Sequence, residues 1–341
     1  MAAHHRRPRG RTYRMLAVTL VLFSLVTAAF AASLLVGARA VSLSEILAGL
    51  LGRTDSADAL VIASQRLPRT MIGLAAGVAL GAAGALMQGH TRNPLAEPGL
   101  FGVNAGAALG VALLVYLFGV NAPLALPVAA LLGAAIATTL IFLSGLGQLR
   151  GAALVMLAVI GTTVSQLLGS LTSALVLLDK QTLDTLRFWQ VGSLQNRDVQ
   201  LLWLLLVLVA AGLVLALANA FAVNSLSLGE DTARALGTRV AAARVTGIVA
   251  ITLLAGAATA LCGPIAFVGL VAPHLARLFS GHDYRWLIPQ AALAGGALLL
   301  FADTLGRVMA PPGELQVGVV MALLGGPVLV AITRRRRLVA L

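Results

Sequence analysis

The chain has 341 residues, 59% of them hydrophobic and only 11% charged, with mean hydropathy +0.96 and net charge +12. A soluble domain of this length carries about a quarter charged residues, so a water-soluble globule is excluded and lipid solvates most of the surface. The basic excess comes from arginines spread over loops and ends, with Lys180 the one lysine, which fits a membrane protein and argues against nucleic acid as a partner.

Apolar stretches of about 20 residues are long enough to cross a bilayer. They must be helical there, because hydrocarbon offers backbone groups no water. Ten such spans are predicted, near residues 15–37, 70–88, 102–119, 124–146, 152–177, 199–221, 241–261, 264–280, 286–304 and 314–333. The expected fold is an all-α polytopic membrane protein forming a single domain over residues 1–341. The first span follows a basic tail, residues 1–14, with Arg6, Arg7, Arg9, Arg11 and Arg14. It is too long for a signal-peptide core and is read as a retained helix. A second basic cluster occupies residues 334–337. By the positive-inside rule both termini are cytoplasmic. Counting onward, sixteen basic residues fall on cytoplasmic segments, Arg92, Arg150, Arg234, Arg239, Arg244, Arg277 and Arg285 among them. Eight fall outside, including Arg39, Arg53, Arg187 and Arg197.

Between the first two spans, Ser42-x-x-Glu45 forms a capping box for a short interfacial helix. The stretch from Arg66 to Gly110 follows. Arg66 and Arg69 close one end of a helix rich in Gly and Ala, which lets helices pack backbone to backbone. At its other end a polar, proline-broken turn (Gln88, Arg92, Asn93, Pro94, Glu97, Pro98) shapes a helix reversal on the cytoplasmic side. Span five is rich in polar side chains: Thr162, Thr163, Ser165, Gln166, Ser170, Thr172 and Ser173. Hydroxyls of this kind either line a polar wall or bond carbonyls of their own helix. An outer segment, 178–198, carries Phe188 and Trp189, expected at the headgroup level. Residues 222–240 form a cytoplasmic segment with two short helical pieces divided near Gly229. Spans two to five and seven to ten cross in opposite senses, as inverted halves do in transporters. The sequence echo is limited to the Asn93-Pro94 and Gly263-Pro264 turns.

No phosphate-binding loop, HExxH or GxSxG occurs, and no cofactor or metal site is expected. The lone Cys262 excludes an internal disulfide and a cysteine-based metal cluster. His90 and His282 are read as loop residues, and His274 as a packing or hydrogen-bonding residue. Asp303 lies near the outer end of span nine, with Arg307 spaced for an i,i+4 ion pair. It is also the one candidate for the buried carboxylate that an ion-coupled transporter needs.

Four stretches carry a resemblance to a known family. They are RLPRTMIGLAAGVALGAAGALMQGHTRNPLAEPGLFG, LGEDTARALG, GPIAFVGLVAPHLARL and GELQVGVVMALLGGPV. In order and spacing, from the first span to the last, the chain resembles the FecCD-type permeases of type II ABC importers for iron–siderophores, haem and cobalamin. The resemblance implies a ten-helix permease of the bacterial inner membrane, paired with a second permease, identical or homologous. It also implies two cytoplasmic ATP-binding subunits and an extracytoplasmic substrate-binding protein. The missing phosphate loop agrees, since ATP then belongs to other chains.

By the same resemblance, Arg66, Arg69 and Arg307 receive carboxylates of the binding protein. The guanidinium fork suits that role, and headgroup anchoring is the competing one. Leu228, Gly229, Glu230, Ala233, Arg234, Leu236 and Gly237 match the segment that enters a groove on the ATPase; a helix lying on the membrane surface is the alternative. The path is expected between spans five and ten, with Thr162, Thr163, Ser165, Gln166 and Ser170 on one wall and Gln316 and Met321 on the other. Two further functions stay open: a secondary transporter driven by an ion gradient, and a structural or assembly protein of the membrane. Ferric siderophore is the expected cargo by family frequency alone.

Overall fold

The computed structural model describes residues 8–37, 41–53, 56–146, 153–195, 199–310 and 313–334, and every regular element among them is helical. In chain order the helices are α1 (Pro8–Leu35), α2 (Leu43–Leu50), α3 (Ala57–Val61), α4 (Leu67–Thr91), α5 (Val103–Phe118), α6 (Ala125–Leu146) and α7 (Ala153–Leu178). They continue with α8 (Lys180–Trp189), α9 (Val199–Ser227), α10 (Glu230–Ala235), α11 (Val240–Cys262), α12 (Val268–Ser280), α13 (Tyr284–Met309) and α14 (Val317–Arg334). A π turn, Ile62–Arg66, joins α3 to α4, and a 3-10 turn, Pro98–Phe101, precedes α5. Seven helical stretches are long and apolar enough to cross a membrane, and three shorter apolar ones lie in α5, α12 and α14. These stretches fall where the spans were predicted.

The central element is α4, packed against α13, α11, α9 and α12. Its small residues bring backbones together. A Cβ on Gly84 would lie 1.9 Å from the carbonyl oxygen of Gly269 in α12, and one on Gly77 would lie 2.5 Å from that of Gly295 in α13. A second close pair joins α5 and α6 through Gly106 and Gly133. Lipid cannot drive helices together as water does, so close van der Waals approach of this kind carries the association.

Ser42 caps α2 by accepting from the Glu45 N–H (3.4 Å). Glu45 does not bond back; its carboxylate accepts from the hydroxyl of Ser56, the cap of α3. The Cys262–Val268 connection breaks what would otherwise be a continuous helix. At about 1.5 Å per residue, the 13 residues of α12 cover roughly 20 Å, short of a hydrocarbon core of about 30 Å. Non-helical backbone at membrane depth is tolerated where protein covers it, and here it is covered. The N–H of Ser193 donates to the Cys262 carbonyl (2.7 Å). Phe267, left-handed at φ 70°, opens α12 while its N–H donates to Glu97 (2.5 Å). Its ring lies against Gly325 of α14.

Several expectations are corrected. The first piece expected in 222–240 is the last turn of α9, which runs six residues beyond the predicted end at 221. Trp189 is buried in the core instead of at a lipid headgroup, while Phe188 is exposed. His90 is in α4, not in a loop. Arg6, Arg7, Arg39, Arg150, Arg197, Arg335, Arg336 and Arg337 lie outside the described residues.

Candidate functional site

The residues expected to meet partners gather at opposite ends of α4. Arg69 sits in its first turn and His90 in its last, roughly 30 Å apart at 1.5 Å per residue.

At the first end, Arg66, Arg69 and Arg307 converge with Asp303 and Glu314. A helix ends with carbonyls that lack intrahelical donors, and two of these arginines supply donors to the end of α1. Arg66 Nη1 donates to the carbonyls of Leu34 (2.8 Å) and Leu35 (3.3 Å). Arg307 Nη1 donates to those of Ser33 (2.7 Å) and Val36 (3.2 Å). Cations at a helix C-terminus also oppose its dipole. Arg307 pairs with Asp303 one turn earlier, as the spacing predicts. Arg69 forks onto the same carboxylate, with Nη2 to Oδ1 at 2.7 Å and Nε to Oδ2 at 3.0 Å. Its remaining arm, Nη1, donates to Glu314 Oε2 (2.7 Å), which also accepts from Gln195 Nε2 (2.6 Å). Burial pushes the Glu314 carboxyl upward, but the hydrogen bond and charge of Arg69 outweigh it and hold the group below the usual carboxylate range. The three arginines predicted from sequence are thus brought together, with Arg66 and Arg307 buried and each guanidinium bonded inside the chain.

Along the middle of the molecule, α7 leaves Thr162, Thr163, Gln166 and Ser170 exposed and Ser165 half-buried. The hydroxyls of Thr162, Ser165 and Ser170 donate to carbonyls of their own helix at 2.7–2.9 Å. What the face offers is therefore weakly polar. A groove of about 570 Å³ between α5 and α7 is lined by Asn104, Thr172, Ser173, Gln190 and Pro264 among others. Asn104 and Gln190 were not expected from sequence, since one lies in an apolar helix and the other at the end of a peripheral one. The Gly263-Pro264 break is the signal that could have pointed there. On α14, Gln316 is half-buried before the first turn. Met321 is fully buried in the core and packs within its own chain; the exposed side chains of α14 include Val319, Leu323 and Val330.

At the far end of α4, Gly229 (φ 110°) and Gly237 (φ 83°) bracket the short helix α10. Both angles favour glycine. Ala233 is buried, whereas Leu228 and Leu236 are exposed. Glu230 accepts from Arg234 (2.5 Å) and from Arg244 of α11 (3.0 Å), so α10 is tied to α11. Beside it, Asn219 Nδ2 donates to His90 Nε2 and to the Ala243 carbonyl, both at 2.9 Å. Gly247 makes room for the ring, since a Cβ there would lie 2.0 Å from His90 Nε2. Asn224 accepts from the Tyr284 N–H (2.8 Å) and donates to Asp283 (2.9 Å). The ends of α4, α9, α11 and α13 are therefore joined next to α10.

The profile of the FecCD transport family matches residues 25–335. The chain belongs to the FecCD transport family. It is 47% identical over 326 residues to the ferric enterobactin transport system permease protein FepD of Escherichia coli (strain K12), covering 95% of this chain and 96% of that relative. It is 38% identical over 278 residues to the hemin transport system permease protein HmuU of Yersinia pestis, covering 80% and 82%. A solved structure described as an inward-facing metal-chelate type ABC transporter matches with TM-score 0.83 at 29% identity, covering 94% of this chain and 99% of that one. This FecCD protein is a multi-pass membrane permease. Its all-helical architecture is that of the metal-chelate transporter. The ion-gradient alternative rested on Asp303, and that carboxylate is engaged by two guanidiniums.

Proposed function

We propose that this FecCD permease imports a ferric siderophore across the bacterial inner membrane as one of two permeases in an ATP-driven importer. The observation that carries the reading is the placement of the arginine cluster and of α10 at opposite ends of one buried helix, α4. A carrier fed from outside and powered from inside needs a docking site and a drive site on opposite faces. We place both termini and α10 on the cytoplasmic side and the arginine cluster outside, in line with the positive-inside count.

A loaded binding protein docks over the Arg66, Arg69 and Arg307 cluster, with the partly exposed Arg69 as the contact and the buried Arg66 and Arg307 holding the site from below. Two ATP-binding subunits take up α10, with Leu228 and Leu236 as apolar contacts and Gly229 and Gly237 as hinges. Closure of those subunits moves α10, and the Glu230–Arg244 bond passes the motion to α11. Through Asn219 and His90 it reaches α4. The path opens between α7 and α14 of the two permeases, along the weakly polar face of Thr162, Thr163, Ser165, Gln166 and Ser170. Such a wall conducts without holding, because affinity resides in the binding protein. The permease itself makes and breaks no covalent bond. Haem and cobalamin are the competing cargoes, and the ferric enterobactin relative favours the siderophore.

The test is cargo uptake by cells whose own permease of this type has been deleted and which supply the cognate binding protein and ATPase. Radiolabelled ferric enterobactin is expected to accumulate when this chain is expressed, while haem and cobalamin do not. Uptake of haem or cobalamin without the ferric siderophore overturns the assignment.

A further inference from the structure

Of the two carboxylates on Arg69, one is buried and the other is half-exposed. Asp303 is 1% exposed and is gripped by both Arg69 and Arg307. Glu314 is 22% exposed, and the Arg69 side chain it contacts is 14% exposed. Glu314 meets Arg69 through a single N–H and stands in the non-helical Gly313–Gln316 stretch just before α14. Its other partner, Gln195, belongs to the connection between α8 and α9. That connection is wedged against α14: the Gly318 N–H donates to the Gly192 carbonyl at 3.1 Å, and a Cβ on Gly318 would lie 2.0 Å from the Val191 oxygen. Glu314 therefore ties the outer end of α14 both to α4 and to this connection.

Charge balance gives the arrangement its meaning. Asp303 and Glu314 pair with Arg69 and Arg307, and Asp58 lies within electrostatic range of Arg66, so the three guanidiniums have three carboxylates near them among the described residues. A docking carboxylate gains an ion pair only by displacing one of the three. Glu314 is the half-exposed one that shares Arg69.

We propose that Glu314 is an internal surrogate for the partner's carboxylate: it holds the open side of Arg69 at rest, and an acidic residue of the docking protein takes its place, freeing the start of α14. The proposal rests on the reading of the arginine cluster as a docking site. Arrival of the binding protein is thereby linked to release of a helix that walls the path. The held-down ionisation of Glu314 is what a surrogate needs, since a neutral carboxyl would not compete for a guanidinium.

The experiment measures docking affinity of the loaded binding protein for the assembled importer in lipid nanodiscs, with wild type, Glu314→Gln, Glu314→Asp and Arg69→Gln compared. Losing the internal competitor is expected to tighten docking by roughly five-fold, the scale of one partly exposed ion pair. A variant that is merely less well folded docks more weakly, so tightening separates exchange from structural damage. Glu314→Asp, too short by one methylene to reach Arg69, is expected to tighten docking as well and covers the case in which Glu314→Gln does not assemble. Unchanged or weaker docking by the Glu314 variants, with Arg69→Gln weakening it, overturns the exchange and leaves the docking site standing. Unchanged docking by Arg69→Gln overturns the docking reading itself.

Discussion

Asp303 is the residue on which the arginine cluster balances. Its carboxylate is the counterion of two guanidiniums, one of which also caps α1. Removing one partner of a buried ionic set costs about 3–5 kcal/mol, because the remaining charges are left uncompensated. Asp303→Ala is therefore expected to lower the unfolding midpoint in detergent sharply, and a midpoint equal to wild type contradicts the account. Asp283 offers a milder case. It caps α13, accepts from Asn224, and is held down to about 2 by the hydrogen bonds of Arg285. Because its folded pKa lies below its ordinary value, its contribution is present above the ordinary carboxylate range and fades as pH falls toward 2. Asp283→Ala should cost about 1 kcal/mol near neutral pH, the worth of an N-cap. In unfolding titrations the gap to wild type should narrow below pH 4; a constant gap sinks the assignment. At this scale the i,i+4 pair of Asp303 and Arg307 was legible in the sequence, because spacing alone creates it. The capping of α1 by Arg66 was not, since donor and acceptor are 32 positions apart and no local pattern links them.

Helices meet here through glycine, and that makes their contacts testable one atom at a time. Gly325→Ala would place a methyl 2.2 Å from the Phe267 ring, whereas a methyl at neighbouring Gly326 meets nothing within 4 Å of its own chain. Overpacking of this kind costs about 1–3 kcal/mol. The expected outcome is a clear loss of thermal stability for the isolated Gly325→Ala permease and none for Gly326→Ala. Equal effects from the two count against the packing described. The buried centre of α4 was legible from its Gly and Ala spacing, and the helix positions from hydropathy. The drive segment was read less well. The stretch Ala222–Ser227 has the polar residues of a turn, yet it continues α9 because Val223 and Leu226 are buried and Asn224 is bonded to Asp283 and Tyr284. Met321 was expected on the path wall by its place in span ten. Its side of the helix is turned into the core, a matter of rotation that hydropathy does not encode.

For the molecule as a whole, one rigid helix with partners at both ends is a simple way to convert events on one face of a membrane into motion at the other. In the proposed mechanism, the joint at His90, Asn219 and Gly247 is where that conversion enters α4. Asn219→Ala is expected to leave assembly with the ATPase intact while lowering transport per ATP hydrolysed several-fold, and an unchanged ratio argues against transmission by this route. The central claim is that energy arrives through α10 from separate ATPase chains rather than from an ion gradient through Asp303. The direct measurement is ferric siderophore uptake into vesicles holding the assembled importer, with ATP inside and ionophores collapsing all gradients. Uptake is predicted to persist with ionophores, to stop without ATP or without the ATPase subunits, and to fall with Gly229→Pro. Uptake by the permease alone, driven by a gradient and abolished by ionophore, would contradict the account.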